Sequence, residues 1–242
     1  MKLALVSMTG GKQERNKLKY RGDHGFRARI IVQDLLERHD DLDGVLVSGM
    51  SDYQMKHVDA FLYSRSYKKI ISPGWRKQTD KWRFTCLTAA YVRNKAEQIV
   101  YNEDRLETIY RYAAFSLPGD LEIRVVHIPC VDPDKPYYEK QYARKEAMLK
   151  WEQTLEEKEV ASNRRVIVAG DWNTERENLE CHDIYDALPY EKLLDEITWG
   201  ASKIDNVLVS PALKGLVKVS TDDYRWGMTS DHKVVIVDYV GE

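Results

Sequence analysis

Cysteine is scarce in this chain. Cys86, Cys130 and Cys181 are the whole complement, an odd number with no Cys-x-x-Cys pair. That favours reduced, structural thiols in a cytoplasmic protein and argues against a cysteine zinc site. Long apolar runs are lacking as well. The opening Met1–Val6 stretch is apolar but is broken by Ser7, Thr9, Gly10 and Gly11. It is too short for a secretory signal or a membrane span and reads as a first strand, so no membrane partner is expected. No excess of one charge stands out: the formal net charge is -2, and the global field does not advertise nucleic acid. Repeats and low-complexity segments are missing too. What remains is 242 residues with 43% hydrophobic content. That is enough for a full core, and the expectation is one domain over 1–242.

Three apolar strands carry polar groups at one end. Val166 to Ala169 is a short β-branched run with Arg164-Arg165 before it and Gly170 after it, which reads as a buried strand. Gly170 permits a sharp turn, and Asp171 and Asn173 project the same way, so a carboxylate and an amide can converge. The plainer reading is a strand followed by an Asx turn. Lys203-Ile204-Asp205-Asn206-Val207-Leu208-Val209 is a second strand with an acid at its start, which could simply cap a turn. Ser230-Asp231-His232 precedes a third, Lys233 to Val237. An acid and an imidazole beside an apolar strand have little packing reason to be there.

Elsewhere, Leu3 to Met8 reads as a strand. Phe26, Ile30, Ile31, Leu35 and Leu36 give a helix to about His39, and Val45 to Val47 is a second strand after the Asp43-Gly44 turn. A short helix containing Val58, Phe61 and Leu62 follows. Arg65 to Arg83 is the most charged loop. Lys68, Lys69, Arg76 and Lys77 could neutralise phosphates, while Trp75 and Trp82 offer faces for bases to stack on; a solvated hairpin with core-packed tryptophans is the alternative. Phe84 to Val92 and Ala96 to Tyr101 look like hairpin strands. Thr108 to Ser116 and Leu121 to Ile128 look like another pair, joined by Pro118-Gly119-Asp120. Tyr137 to about Val160 is a helix with Met148, Trp151 and Leu155 on one face and Glu, Lys and Arg on the other.

The order Gly170-Asp171-Trp172-Asn173, then Ile204-Asp205 ahead of an apolar strand, then Ser230-Asp231-His232, resembles the endonuclease/exonuclease/phosphatase superfamily. His127-Ile128-Pro129 at a strand end, followed by a long helix with an early Arg144, matches the same pattern. The resemblance implies an α/β fold: a two-sheet α/β sandwich with helices on the outer faces. It implies that Asp171 orients or deprotonates the attacking water and that Asn173 holds this water or a phosphate oxygen. His232 would contact the scissile phosphate, with Asp205 on its other ring nitrogen. His127 would be a further phosphate contact, with a satisfied core histidine as the plainer reading, and Arg111 would be another contact. Asp231 would help bind a divalent ion, Mg²⁺ or Mn²⁺.

The sequence departs from that superfamily in two places. Its usual strand-one Asn is replaced around Ser7-Met8-Thr9, and its usual metal-binding strand-two Glu around Ser48-Gly49-Met50. Asp52 is the nearest acid, and it could reach the metal or cap a helix starting near Tyr53. If Asp52 has taken over metal binding, a Glu at Gly49 or Met50 is expected to lower the metal requirement. Three readings follow: a metal-dependent phosphodiesterase acting as a nuclease on DNA or RNA; a catalytically reduced protein that binds nucleic acid or a protein partner through the inherited cleft; and a phosphatase of a small phosphorylated molecule.

Overall fold

The computed structural model describes residues 1–8, 21–71, 87–93, 95–101, 111–131, 134, 136–174, 181–200, 202–222 and 232–241; for 21–26, 52 and 53 it describes the backbone alone. In chain order the elements are β1 (Lys2–Ser7), α1 (Arg21–Arg38), β2 (Gly44–Met50), α2 (Asp52–Tyr63), β3 (Lys68–Ile71), β4 (Leu87–Val92), β5 (Glu97–Gln98), β6 (Tyr112–Leu117) and β7 (Leu121–His127). Then come α3 (Tyr138–Ala161), β8 (Arg165–Asp171), α4 (His182–Asp186), β9 (Glu191–Lys192), β10 (Asp205–Val209), β11 (Val217–Asp222) and β12 (Val234–Tyr239).

Among the described residues the strands form two mixed sheets of six, ordered β11-β12-β1-β2-β4-β3 and β5-β6-β7-β8-β10-β9. The two-sheet sandwich is the architecture expected from the motifs. One expectation changes. The strands around Phe84–Val92 and Ala96–Tyr101 do not form a hairpin: β4 pairs with β2 and β3, whereas β5 pairs with β6 in the other sheet. β4 is bonded along both edges, and the next described strand, β5, belongs to the other sheet.

Strand alternation sorts the side chains into three apolar layers. Leu3, Leu5, Leu46, Val125, Ile167, Ala169, Val207 and Val235 meet between the sheets. Ala4, Val6, Val45 and Val47 face outward against α1 and α2. Val126, Val166 and Val168 face outward against α3 and α4. Burying each such Val or Leu side chain is worth roughly 1.5–3 kcal/mol, so all three layers hold the sandwich together.

The start of α2 is set by a capping box. Ser51 Oγ accepts from the Gln54 N–H at 3.2 Å, and Gln54 Oε1 accepts from the Ser51 N–H at 2.8 Å. Ser51, rather than Asp52, is therefore the cap.

Candidate active site

The same alternation that fills the central layer places its polar end. On β8, Ile167 and Ala169 point between the sheets, so Asp171 does too. On β7 the inward series Ile123, Val125 ends in His127, and on β10 Val207 and Val209 share their face with Asp205. The registers then align these ends: His127 lies opposite Asp171 in the parallel β7–β8 pair, and Asp171 opposite Asp205 in the antiparallel β8–β10 pair. One row across three strands reads His127, Asp171, Asp205. The facing sheet supplies Ser7 at the end of β1, and His232 two residues before β12.

Gly170 allows β8 to run this close to β7. A Cβ there would stand 2.1 Å from the Val126 carbonyl oxygen. The glycine is required by close approach, and the sharp bend falls at Asn173, whose φ is +47°.

The acids are not free to act as bare charges. Asp205 is held from both sides: Ser7 Oγ donates to its Oδ1 at 2.5 Å, and its Oδ2 lies 2.8 Å from His232 Nδ1. A carboxylate at that distance places the ring proton on Nδ1 and turns Nε2 away from the acid. Asp171 Oδ1 accepts the Asn173 N–H at 3.1 Å, and its Oδ2 is 3.7 Å from His127 Nε2. Arg111 stands behind His127, with a guanidinium nitrogen 3.3 Å from Nδ1. A guanidinium only donates, so Nδ1 is the acceptor and the ring proton sits on Nε2, facing Asp171. Burial, and then the charge of Asp205 across the strand pair, push the Asp171 carboxyl up to about 7; His232 opposes the shift.

Asn173 also donates from Nδ2 to the Ile128 carbonyl at 2.9 Å, which fixes its amide. Trp199 packs beside His232 with ring centroids 6.3 Å apart, and the Lys233 N–H donates to Thr198 O at 2.8 Å. Sequence reasoning passed over Ser7, Trp199 and Lys145. Lys145 is buried on α3 and donates to the Asn173 carbonyl at 2.8 Å. Its place beside Met148 and Leu149 at helical spacing was the available signal.

The structure does not bring Lys68 and Lys69 to this cluster. They sit on edge strand β3 opposite Val92 and Tyr91, while Met50, near the site end of β2, pairs with Leu87. Lys69 Nζ is bound to Asp59 at 2.6 Å and Lys68 Nζ to the Ala96 carbonyl at 3.3 Å. Trp75, Arg76, Lys77, Trp82 and Asp231 lie outside the described residues, as does the Asp52 side chain.

Asp171, Asp205 and His232 each offer a ligand atom, and these atoms lie within 4.8 Å of one another, so the group could hold a metal ion. The candidate ligand atoms are therefore carboxylate oxygens of Asp171 and Asp205 and a ring nitrogen of His232. Mg²⁺ demands oxygen ligands, so a mixed oxygen–nitrogen set fits Mn²⁺ better. At the place of the strand-two glutamate, β2 turns through Gly49, with φ +74°, and Met50 is fully buried in the outer apolar layer with Met8, Met55 and Leu87. A Glu at Met50 would therefore enter that layer rather than the site, contrary to the expected lowering of the metal requirement.

No protein-family model and no curated protein matches the chain. Solved structures do. An AP endonuclease from Archaeoglobus fulgidus superposes with TM-score 0.69 at 14% identity, covering 99% of both chains. A 3'-5' exonuclease from Neisseria meningitidis superposes with TM-score 0.66 at 16% identity, again over 99% of both. A mannosyl-6-phosphatase from Bacteroides thetaiotaomicron superposes with TM-score 0.62 at 15% identity over the whole of both chains. The fold is that of the endonuclease/exonuclease/phosphatase structures.

Proposed function

We propose that this protein hydrolyses phosphodiesters and that its substrate is a nucleic acid. The observation that carries the reading is the convergence of Asp171, Asp205 and His232 at the end of the central layer, with His127 and Arg111 beside them. Phosphoester hydrolysis needs a proton acceptor for the attacking water and donors for the phosphoryl oxygens. Asp171, once ionised, accepts the water's proton. Nε2–H of His127 and the outer nitrogen of a protonated His232 donate to phosphoryl oxygens, and Asp205 stabilises the imidazolium. Ser7 keeps Asp205 in place. A Mn²⁺ or Mg²⁺ ion held by a carboxylate oxygen of Asp171, with Asp231 or Asp52 as further ligands, would neutralise phosphoryl charge. The basic, aromatic stretch holding Trp75, Arg76, Lys77 and Trp82 supports a polyanionic, base-bearing substrate over a small sugar phosphate.

No helix among the described residues is long and apolar enough to cross a membrane. A second reading, binding without turnover, is favoured by Met50, since the strand-two end offers a thioether turned away from the site. Labelled single- and double-stranded DNA and RNA, incubated with Mg²⁺, Mn²⁺ or EDTA, separate the two. Cleavage that EDTA abolishes and Mn²⁺ restores supports the first reading. Binding without cleavage under every condition establishes the second.

A further inference from the structure

Helix α3 buries charge along one face: Lys145, Glu152, Glu156 and Glu159 lie inward beside Met148 and Leu149. Glu152 and Glu159 contact Arg124. Lys145 points elsewhere, and its Nζ ends on the Asn173 carbonyl at 2.8 Å. A buried ammonium loses most of its hydration, and an apolar side chain of similar length would fill the space without that loss. A specific role at Asn173 accounts for keeping it.

Asn173 is the residue on which the site turns. Its φ of +47° is left-handed, a conformation that a non-glycine residue holds only when its surroundings fix it. Its N–H is on Asp171 Oδ1, its Nδ2 on the Ile128 carbonyl and its own carbonyl on Lys145. The last of these bonds comes from an ionised donor on a different layer, and such bonds are roughly twice as strong as neutral ones. We propose that Lys145 is a positioning residue: it locks the Asp171–Asn173 turn from beneath, so that the carboxylate and the amide face the substrate in one arrangement.

The test uses the full chain with Lys145→Met, Lys145→Arg and Lys145→Gln. Amide hydrogen exchange is read residue by residue. In Lys145→Met the Asn173 amide is expected to lose protection by about tenfold or more, as for loss of a charged hydrogen bond, while amides in the middle of α3 and β8 keep theirs. Lys145→Arg should restore Asn173 to within about threefold of wild type, since it retains a cationic donor. The kinetic arm rests on the phosphodiesterase reading: kcat for a labelled oligonucleotide should fall about 10–100-fold with KM within about threefold, the pattern of a lost alignment. Unchanged Asn173 protection in Lys145→Met overturns the proposal, whatever the kinetics. Uniform loss of protection along α3 overturns it too, because Lys145 would then only anchor the helix. Should Lys145→Met not fold, Lys145→Gln, with a shorter neutral donor, is read by the same criteria. If the wild type turns over no phosphodiester, the functional reading falls while the exchange data still decide the role of Lys145.

Discussion

Strand β7 carries ionisable groups on both of its faces, and the two clusters differ in kind. On the inner face His127 joins Asp171, Asp205 and His232. On the outer face Glu122 and Arg124 meet Glu152 and Glu159 of α3. There Arg124 Nη2 is 2.8 Å from Glu159, its Nε 3.4 Å from Glu152 and its Nη1 3.9 Å from Glu122. Tyr190 donates to Glu159, and Tyr101 and Arg164 both donate to Glu122. Both clusters are buried, and both hold acids pushed upward. In the outer one, burial lifts Glu152 to about 7 and Glu156 to about 9, with Arg124 opposing each shift. The difference is direction. The outer cluster closes on one central cation under a helix, whereas the inner one gathers acids and imidazoles from the ends of strands in both sheets. Perturbed acids do not identify a site by themselves; their convergence with imidazoles at strand ends is the stronger sign.

This contrast predicts opposite consequences for mutation. Arg124→Leu should lower stability by about 3–5 kcal/mol in chemical denaturation, because it strands several buried carboxylates without a counter-ion. Met50→Glu comes next. A carboxyl forced into the outer apolar layer should cost about 3 kcal/mol or more at pH 8 and less at pH 5, where it can protonate; a stable variant with a lowered metal requirement would refute this placement.

In the inner cluster the loss should fall on turnover. Asp171→Asn should cut phosphodiester hydrolysis about 100-fold or more, equivalent to about 2.7 kcal/mol, with stability unchanged or raised because a repelled buried acid is removed. The wild-type rate should rise with pH through about 7 as Asp171 ionises. An Asp171→Asn protein that unfolds while Arg124→Leu stays intact would reverse the comparison.

The smallest effect concerns Glu156. The folded state keeps a proton that the unfolded chain releases above the ordinary glutamate value of 4.5, so this group removes stability as pH rises from there towards about 9. Glu156→Gln should therefore stabilise by about 1–2 kcal/mol more at pH 8 than at pH 5, measured by urea denaturation at both values.

The strands that build the inner row were legible in the sequence because each is an apolar run ending in chemistry: β7 in His127, β8 in Asp171, and β10 beginning at Asp205. Helix α3 was legible in extent, but its buried face was not. Glu152, Glu156 and Glu159 read as solvated, since their partner Arg124 lies far away in sequence and no local pattern reports it. The early basic residue that reaches the site turn is Lys145, one position after the Arg144 suggested by the motif. A one-residue step on a helix turns the side chain by about 100°, which decides burial. The crossing between β4 and β5 was hidden for a similar reason: pairing partners depend on edges that only the assembled sheet defines.

The row His127–Asp171–Asp205 also fixes what can be inserted or deleted. Removing one residue from β8 would send Asp171 to the outer face, into the layer beneath α3. Removing two would keep its face but draw it about 6.6 Å along the strand, beyond reach of either imidazole. Length changes in β7, β8 and β10 should therefore abolish the site even where the sandwich still folds. The turn at Pro118-Gly119-Asp120, at the opposite end of β7, can take extra residues without shifting the row. Related chains should differ in length at that turn and keep the strands constant, so an alignment gap inside β8 would signal a protein that has given up this chemistry.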